Sequence, residues 1–510
     1  MNKSFATYTQ ENRGRALLLF LLFGFAIYQL INAGFSAFAL ICISPFVVIA
    51  AYIAFKYRLS AFWALFTINY LVQFLGKNQW LPSGIPMSLY NEMLEILLLS
   101  IAIIDARRNP HFERICNIML YAIICWCTFC TLEILNDTCG LGINISAWYQ
   151  GARLLAFQLL YIFIIFCIYI DTPTTLINYL KLWACLSLFS AFWIWKQQNI
   201  GFTTAEFNWL YNGPGRATHI IQGGTLTRYF STFSDAANCG VCYASTATAF
   251  FIFSITCKIK KLKFFFLVTA IVCVWAMFPT GTRTAIVCVG AGMISYIFLS
   301  KSVKIAVPVS ILFAFTFFII AFTNIGQGNQ QIRRMRSAFK GGDASTNVRK
   351  INQETMRKYM KEAPWGIGLG MNYSNVPANN KYSLMSTIAP DSDYVFIWLR
   401  TGKIGISIFI ITMLLMLGGA CWIALFKIKS PSLRGIGAGL CCAFISHQLG
   451  SYGNQVLMQF PNGLLFYGGL SVVYILPFME KEWAQYESKE IAKQEEKARL
   501  KLEKRKASRV

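Results

Sequence analysis

The chain has 510 residues, 56% of them hydrophobic and 13% charged, with a mean hydropathy of +0.50. A soluble domain carries roughly 25% charged residues, so the composition excludes an ordinary soluble protein and indicates a polytopic membrane protein. The formal charge of +24 belongs, in such a chain, to short cytoplasmic loops that set orientation; it argues for membrane lipid and against nucleic acid as a partner.

Reading from the N-terminus, the first apolar run begins near Ala16, is long, and lacks a small-residue cleavage pattern, so no cleavable signal peptide is expected. A membrane span needs about 20 apolar residues. Candidate runs lie near 16–32, 35–54, 60–76, 88–105, 115–135, 152–170, 176–196, 236–256, 264–280, 284–299, 305–323, 403–426, 435–451 and 459–478. The expectation is therefore an all-α membrane protein of about 14 spans (12–14). With the N-terminus inside, the basic clusters at Lys56 and Arg58, Arg107 to Arg114, Lys258 to Lys263, Lys301 and Lys304, and Lys427 to Arg434 all fall in the cytoplasm. The resulting organisation is an N-terminal bundle 1–235 with an outer segment 197–235, central spans 236–323, a helical outer loop 324–393, C-terminal spans 394–479, and a Lys/Glu-rich cytoplasmic tail 480–510. The tail reads as a solvated helix or an anchor to anionic lipid.

Sixteen cysteines lie mostly in the apolar runs (Cys116, Cys125, Cys127, Cys130, Cys441, Cys442), where a thiol behaves as a small hydrophobe. The three histidines, His111, His219 and His447, are far apart, and no zinc spacing exists. Neither a metal nor a cofactor is expected.

Most of the polar chemistry sits in 324–393, with ten Lys/Arg against five Asp/Glu. After Ser345-Thr-Asn347, good N-cap residues, the run Val348 to Glu362 puts Val348, Ile351, Met356, Tyr359 and Met360 on one face. Pro364 ends that helix, and Arg349 at its start joins a helix N-terminus that already attracts anions. The string Gly366-Ile-Gly-Leu-Gly370 lacks the spacing and the strand–turn–helix context of a nucleotide loop; a tight turn at the membrane surface is expected. Asp391-Ser-Asp393 places two carboxylates before Tyr394-Val-Phe-Ile-Trp, at a membrane edge, where one is able to take a proton from a hydroxyl. Arg228 precedes the span 236–256 and Arg283 opens the span 284–299. Arginine beside a span is costly unless it snorkels or pairs, and it often marks a site; its fork grips a diphosphate bidentately. Arg216, Arg400 and Glu206 are weaker candidates, and Glu92 and Glu95, in the outer half of their span, require polar partners.

These residues resemble the signature region of the O-antigen polymerase and ligase family. The resemblance rests on Arg349, Pro364 to Gly370, the acidic pair before an aromatic span start, and Gly402-Lys-Ile-Gly405. Arg228 with Phe233 and Asp235, and Gly281-Thr-Arg283, are similar to two further elements of that family, and the match covers about 228–405. It implies a GT-C-type, metal-independent glycosyltransferase of the bacterial inner membrane with both termini cytoplasmic. The implied donor is a polyprenyl-diphosphate-linked saccharide, and the acceptor a second lipid-linked repeat unit or a lipid core. A chain-length regulator and a flippase are implied partners. In this reading Arg228, Arg283 and Arg349 hold the leaving diphosphate, and Asp391 is the candidate base, with Asp393 and Asp235 as alternatives. Arg216, Asp235, Asp393, Tyr394 and Arg400 contact substrate. Asp391 and Ser392 stand where ligases of the family carry His and Asn, which favours a polymerase of a surface polysaccharide over a ligase. A transporter of lipid-linked sugar is the rival class.

Overall fold

The computed structural model describes residues 13–33, 35–81, 86–105, 111–221, 226–301 and 344–507, with scattered positions from 304 to 336 that include the helix Gln330–Arg336. The expected span 305–323 and much of the start of the outer loop lie outside the described residues. Two units are resolved, residues 1–64 and 65–510. The first contains helices α1 (Arg13–Ala33) and α2 (Phe35–Lys56), which pack on each other and expose Leu17, Phe20, Phe23 and Phe46.

Among the described residues nine helices are long and apolar enough to cross a membrane. They cover nine of the expected runs, from Arg58–Lys77 to the C-terminal segment beginning at Gly463. The run at 284–299 is a shorter helix, Arg283–Leu299. The run at 435–451 is also helical (Pro431–Gly453) but is not among the nine. Its sequence is diluted by Gly435, Gly437, Gly439 and Gly450, and it is buried along most of its length. Those glycines let neighbours approach: a Cβ on Gly439 would lie 2.5 Å from the Phe253 ring, and one on Gly450 would lie 2.4 Å from Val241. Small residues at helix contacts serve this purpose in membranes, so an interior helix needs less apolar surface than one facing lipid. Among the described residues the one strand pairing is a two-residue antiparallel pair, Ile220–Ile221 with Leu226–Thr227.

Side-chain bonds sort the helix ends into two groups. At one end Thr203 Oγ1 donates to Asn78 Oδ1 (2.8 Å), Asn136 Nδ2 to the Trp365 carbonyl (2.9 Å) and Asn380 Nδ2 to the Cys139 carbonyl (2.7 Å). At the other, Arg114 reaches the Asp171 carbonyl and the Phe478 ring, Lys258 pairs with Glu487 at 2.9 Å, and Glu480 accepts the N–H groups of Lys429 and Ser430. The basic clusters at Arg114, Lys258 and Lys429 thus share one end, as their charge pattern requires. The tail helix Glu480–Ala507 is not merely solvated: Trp483 and Glu487 are buried in its first turns, and the Trp483 indole donates to Ser432 Oγ.

The helix Ile145–Tyr169 carries a π turn at Arg153–Phe157. The carbonyls released there are taken up by neighbours, Trp126 Nε1 donating to Leu155 (2.8 Å) and Cys127 Sγ to Ala156 (3.5 Å). Glu92 and Glu95 have the polar partners expected of them, Arg153 at 3.2 Å and Asn91 respectively.

Candidate active site

The site begins at the β pair, which brings Arg228 back past His219; the Arg228 N–H donates to the His219 carbonyl at 2.9 Å. The guanidinium is then fixed by three bonds of 3.1 Å each. Nε donates to the Thr280 carbonyl, one terminal nitrogen to the Thr218 carbonyl, and the other to Thr282 Oγ1. All three acceptors are uncharged, so they orient the fork without neutralising it. Thr282 Oγ1 in turn donates to the Ala236 carbonyl at 2.7 Å, which locks the Gly281-Thr-Arg283 turn onto the start of helix Ala236–Thr256. Arg283 is the first residue of helix Arg283–Leu299.

Gly281 is the pivot. It sits at φ +58°, and a Cβ there would meet the Arg334 side chain at 3.2 Å and the Arg228 side chain at 3.6 Å. Arg334, from helix Gln330–Arg336, donates through Nε to the Gly281 carbonyl at 2.9 Å. Arg283 and Arg349 lie within electrostatic range of the same point. Burial, and then the positive charge of Arg334, bring the Arg228 pKa down to about 10, with Arg283 and Arg349 adding in the same direction and Asp235 opposing. Arg228 remains cationic at neutral pH. Asp235 is the one carboxylate among these influences on Arg228, and it is itself engaged. Asp235 caps helix Ala236–Thr256, accepting the Ala237 and Asn238 N–H groups at 2.8 and 2.9 Å. A guanidinium oriented by uncharged acceptors, with further arginines within electrostatic range, suits a polyanion.

Beneath Arg228, Lys77 donates to the carbonyls of Phe233 (2.9 Å) and Ser234 (2.6 Å) and stands over the Trp209 and Phe230 rings. His219 is buried against the same two rings. Its Nε2 accepts the Ala236 N–H at 3.0 Å, which leaves the proton on Nδ1, facing the Gly215 carbonyl at 3.1 Å. Burial, then the charges of Arg228 and Lys77, push its pKa down to about 3 from an ordinary 6.5. The unfolded chain binds this proton between those values and the folded chain does not, so stability is complete above about pH 6.5 and falls below it. Between pH 7.5 and pH 5 the wild type is expected to lose about 2 kcal/mol at this site. His219→Gln, which keeps an acceptor but cannot titrate, is expected to flatten that slope in thermal unfolding followed across the same pH range.

The second part of the site is the turn before helix Asp393–Trp422. Asp391 adopts a left-handed backbone (φ +54°) and is half-buried, and its carboxylate makes no bond to the described residues. Holding a non-glycine residue there costs on the order of 1–2 kcal/mol. Ser392 Oγ donates to the Ser451 carbonyl at 3.3 Å. Asp393 is buried, and its Oδ2 accepts the N–H groups of Val456 and Leu457 at 2.7 and 2.8 Å. The Tyr394 hydroxyl donates to Gln448 Oε1 at 2.7 Å. This turn joins the arginine group through the segment after Ser451, where Asn454 Nδ2 donates at 2.7 Å to Oγ1 of Thr284, the residue after Arg283.

Other sequence expectations fall differently. Helix Ala344–Met360 begins before the expected cap, so Ser345 to Asn347 lie inside it and Arg349 is past its first turn. Only the C-terminal half of its apolar face is covered: Met356 and Met360 join a core with Ile367, Met385 and Leu399, whereas Val348 and Ile351 are 55% and 62% exposed. The Gly366–Gly370 run does turn tightly, and it docks against a helix break. Helix Asp393–Trp422 is broken at Gly402 (φ +66°), and the run lies across the break. Ile367 and Gly368 donate to the Leu399 and Arg400 carbonyls at 3.0 Å each. A Cβ on Gly366 would lie 2.4 Å from the Arg400 backbone, and one on Gly370 would lie 1.7 Å from the Ala147 carbonyl oxygen. Arg400 is buried beside that junction, over the Phe396 ring, with Nε and one terminal nitrogen lacking a partner among the described residues. Arg216 is exposed and makes no side-chain bond to the described residues. Glu206 is buried and accepts from Trp193, Gln197 and the Thr203 N–H, closing a capping box. Arg334, Lys77 and His219 were not singled out by sequence reasoning. A faint signal for Arg334 exists in the run Arg333-Arg-Met-Arg336, and none for Lys77.

No curated protein matches the chain. Residues 231–410 match the family model described as O-antigen ligase, a range that includes Asp235, Arg283, Arg334, Arg349, Asp391 and Asp393 and begins just after Arg228. Over 231–410 the chain is therefore similar to the O-antigen ligase family, in a protein whose described residues include nine helices long and apolar enough to cross a membrane.

Proposed function

We propose that the protein polymerises polyprenyl-diphosphate-linked oligosaccharide repeat units of a surface polysaccharide at the outer face of the bacterial inner membrane. The observation that carries this reading is the Arg228 guanidinium held by neutral acceptors at Gly281, with Arg334 against the same glycine and Arg283 and Arg349 within electrostatic range, linked through Thr284 and Asn454 to a turn where the Asp391 carboxylate has no partner among the described residues. An acceptor hydroxyl gives its proton to Asp391 while its oxygen attacks the anomeric carbon of the donor sugar. The bond from that carbon to the diphosphate oxygen breaks, and the electron pair leaves with the lipid diphosphate. Charge developing on the leaving group meets the preoriented Arg228 guanidinium, whose hydrogen-bonded position needs no rearrangement during the reaction. Arg400, set apart and buried, holds no diphosphate in this scheme.

Asp391→Asn keeps the size of the side chain and removes the base. It is expected to lower transfer by about 10²–10⁴-fold while leaving donor binding unchanged, as read by initial rates and equilibrium binding on purified protein.

The family match, described as O-antigen ligase, favours one second reading: transfer of the finished glycan to a lipid core. Purified protein incubated with lipid-linked repeat units, with and without a lipid-core acceptor, separates the two. A ladder of products without the acceptor supports the polymerase, and a single adduct that requires it supports the ligase. Unchanged substrate in both arms overturns both readings and leaves the transporter class.

A further inference from the structure

The segment from Ser451 to Asn462 lies outside the family-matched range, yet it is tied to the site from four sides. Asp393 holds the Val456 and Leu457 N–H groups, and Asn454 is bonded to Thr284. Ser234, the neighbour of Asp235, donates to Gln459 Oε1. Asn238 donates to the Phe460 carbonyl at 2.8 Å and accepts from Asn462 at 2.6 Å. Gln459 Nε2 closes the turn on the Gln455 carbonyl at 2.7 Å. A loop this closely braced is a fixed surface.

Two groups on it are left over. The Tyr452 ring is 72% exposed, with its centroid 6.4 Å from that of Tyr394. The Gln455 side chain is half-buried and has no partner among the described residues. The Ser392–Ser451 bond sets Tyr452 directly beside the Asp391 turn. An aromatic face on the same short braced segment as an amide offering two donors and an acceptor is matched to a neutral pyranose, whose C–H face packs on the ring while its hydroxyls take the amide. A membrane-interface anchor accounts for an exposed tyrosine by itself, but not for an uncommitted amide on a turn braced to the catalytic elements.

We infer that Tyr452 and Gln455 form the acceptor-saccharide subsite, which presents a sugar hydroxyl to Asp391. This rests on the transferase reading above. The test uses the full-length protein in detergent, with lipid-linked repeat units as donor at saturation and the delipidated repeat-unit oligosaccharide as varied acceptor. Tyr452→Ala and Gln455→Ala are each expected to raise the acceptor KM about tenfold with kcat and donor binding little changed, the pattern of lost uniform binding. Tyr452→Trp is expected to retain the wild-type KM, which separates lost stacking from misfolding. An unchanged acceptor KM in both alanine variants, or a KM in Tyr452→Trp as high as in Tyr452→Ala, overturns the subsite. Failure of the wild type to transfer to any acceptor overturns the transferase reading itself, a result distinguishable from the first.

Discussion

Arg228→Ala is expected to reduce glycan transfer by about 10²–10³-fold, the size of effect seen when one preoriented donor is removed from a developing anion. The physical basis is the way this guanidinium is held. Its three bonds run to two carbonyls and a hydroxyl, so its charge is unpaired by them and its geometry does not depend on a carboxylate. Arg228→Lys is expected to recover little. An ammonium is a point charge without the planar fork, and it cannot reach Thr218, Thr280 and Thr282 together. A thermal unfolding comparison of both variants separates the catalytic loss from the loss of these anchoring bonds. Lysine retaining near-wild-type rates would show that charge alone suffices.

Gly402→Ala is expected to give the largest loss of folded protein of any substitution considered. The added Cβ would lie 2.0 Å from the Pro364 carbonyl oxygen at a residue with φ +66°. Neither strand of backbone has room to retreat, because Ile367 and Gly368 already bond to Leu399 and Arg400. The left-handed backbone alone costs about 1–2 kcal/mol and the overlap roughly 1–3 kcal/mol more. Gly418→Ala is the matched control. It lies in the same helix with nothing within 4 Å of the added atom, and it is expected to stabilise slightly through helix propensity. Yield and thermal unfolding of the two variants check the contrast; equal stability would mean the run does not lock the helix break.

The apolar runs were legible because lipid selects length and composition, which a single sequence displays directly. Pro431–Gly453 shows the limit of that signal: its glycines and Ser446, His447 and Gln448 lower its hydropathy because it packs against protein. Arg228 and Arg283 were legible as arginines at span boundaries, and Arg349 as a cation at the start of the outer-loop helix. Their meeting point was not, since it depends on a left-handed glycine and on threonines whose partners lie up to 54 residues away. Arg334 is one of three arginines in a short run, and no periodicity separates it from Arg333 and Arg336. The glycines of 366–370 were visible, but their partner, the break at Gly402, exists only as a pairing of backbones. Asp235 and Asp393 were singled out for their carboxylates; the structure shows oxygens of both engaged by backbone N–H groups, which composition cannot reveal.

The account rests on the arginines converging on one diphosphate. Its most direct test is equilibrium binding of sugar-free polyprenyl diphosphate to purified wild type and to Arg228→Ala, Arg283→Ala and Arg349→Ala. Each variant is predicted to bind at least about tenfold more weakly, with the monophosphate binding more weakly than the diphosphate throughout. Wild-type affinity in all three variants, or indifference to the second phosphate, would contradict the account.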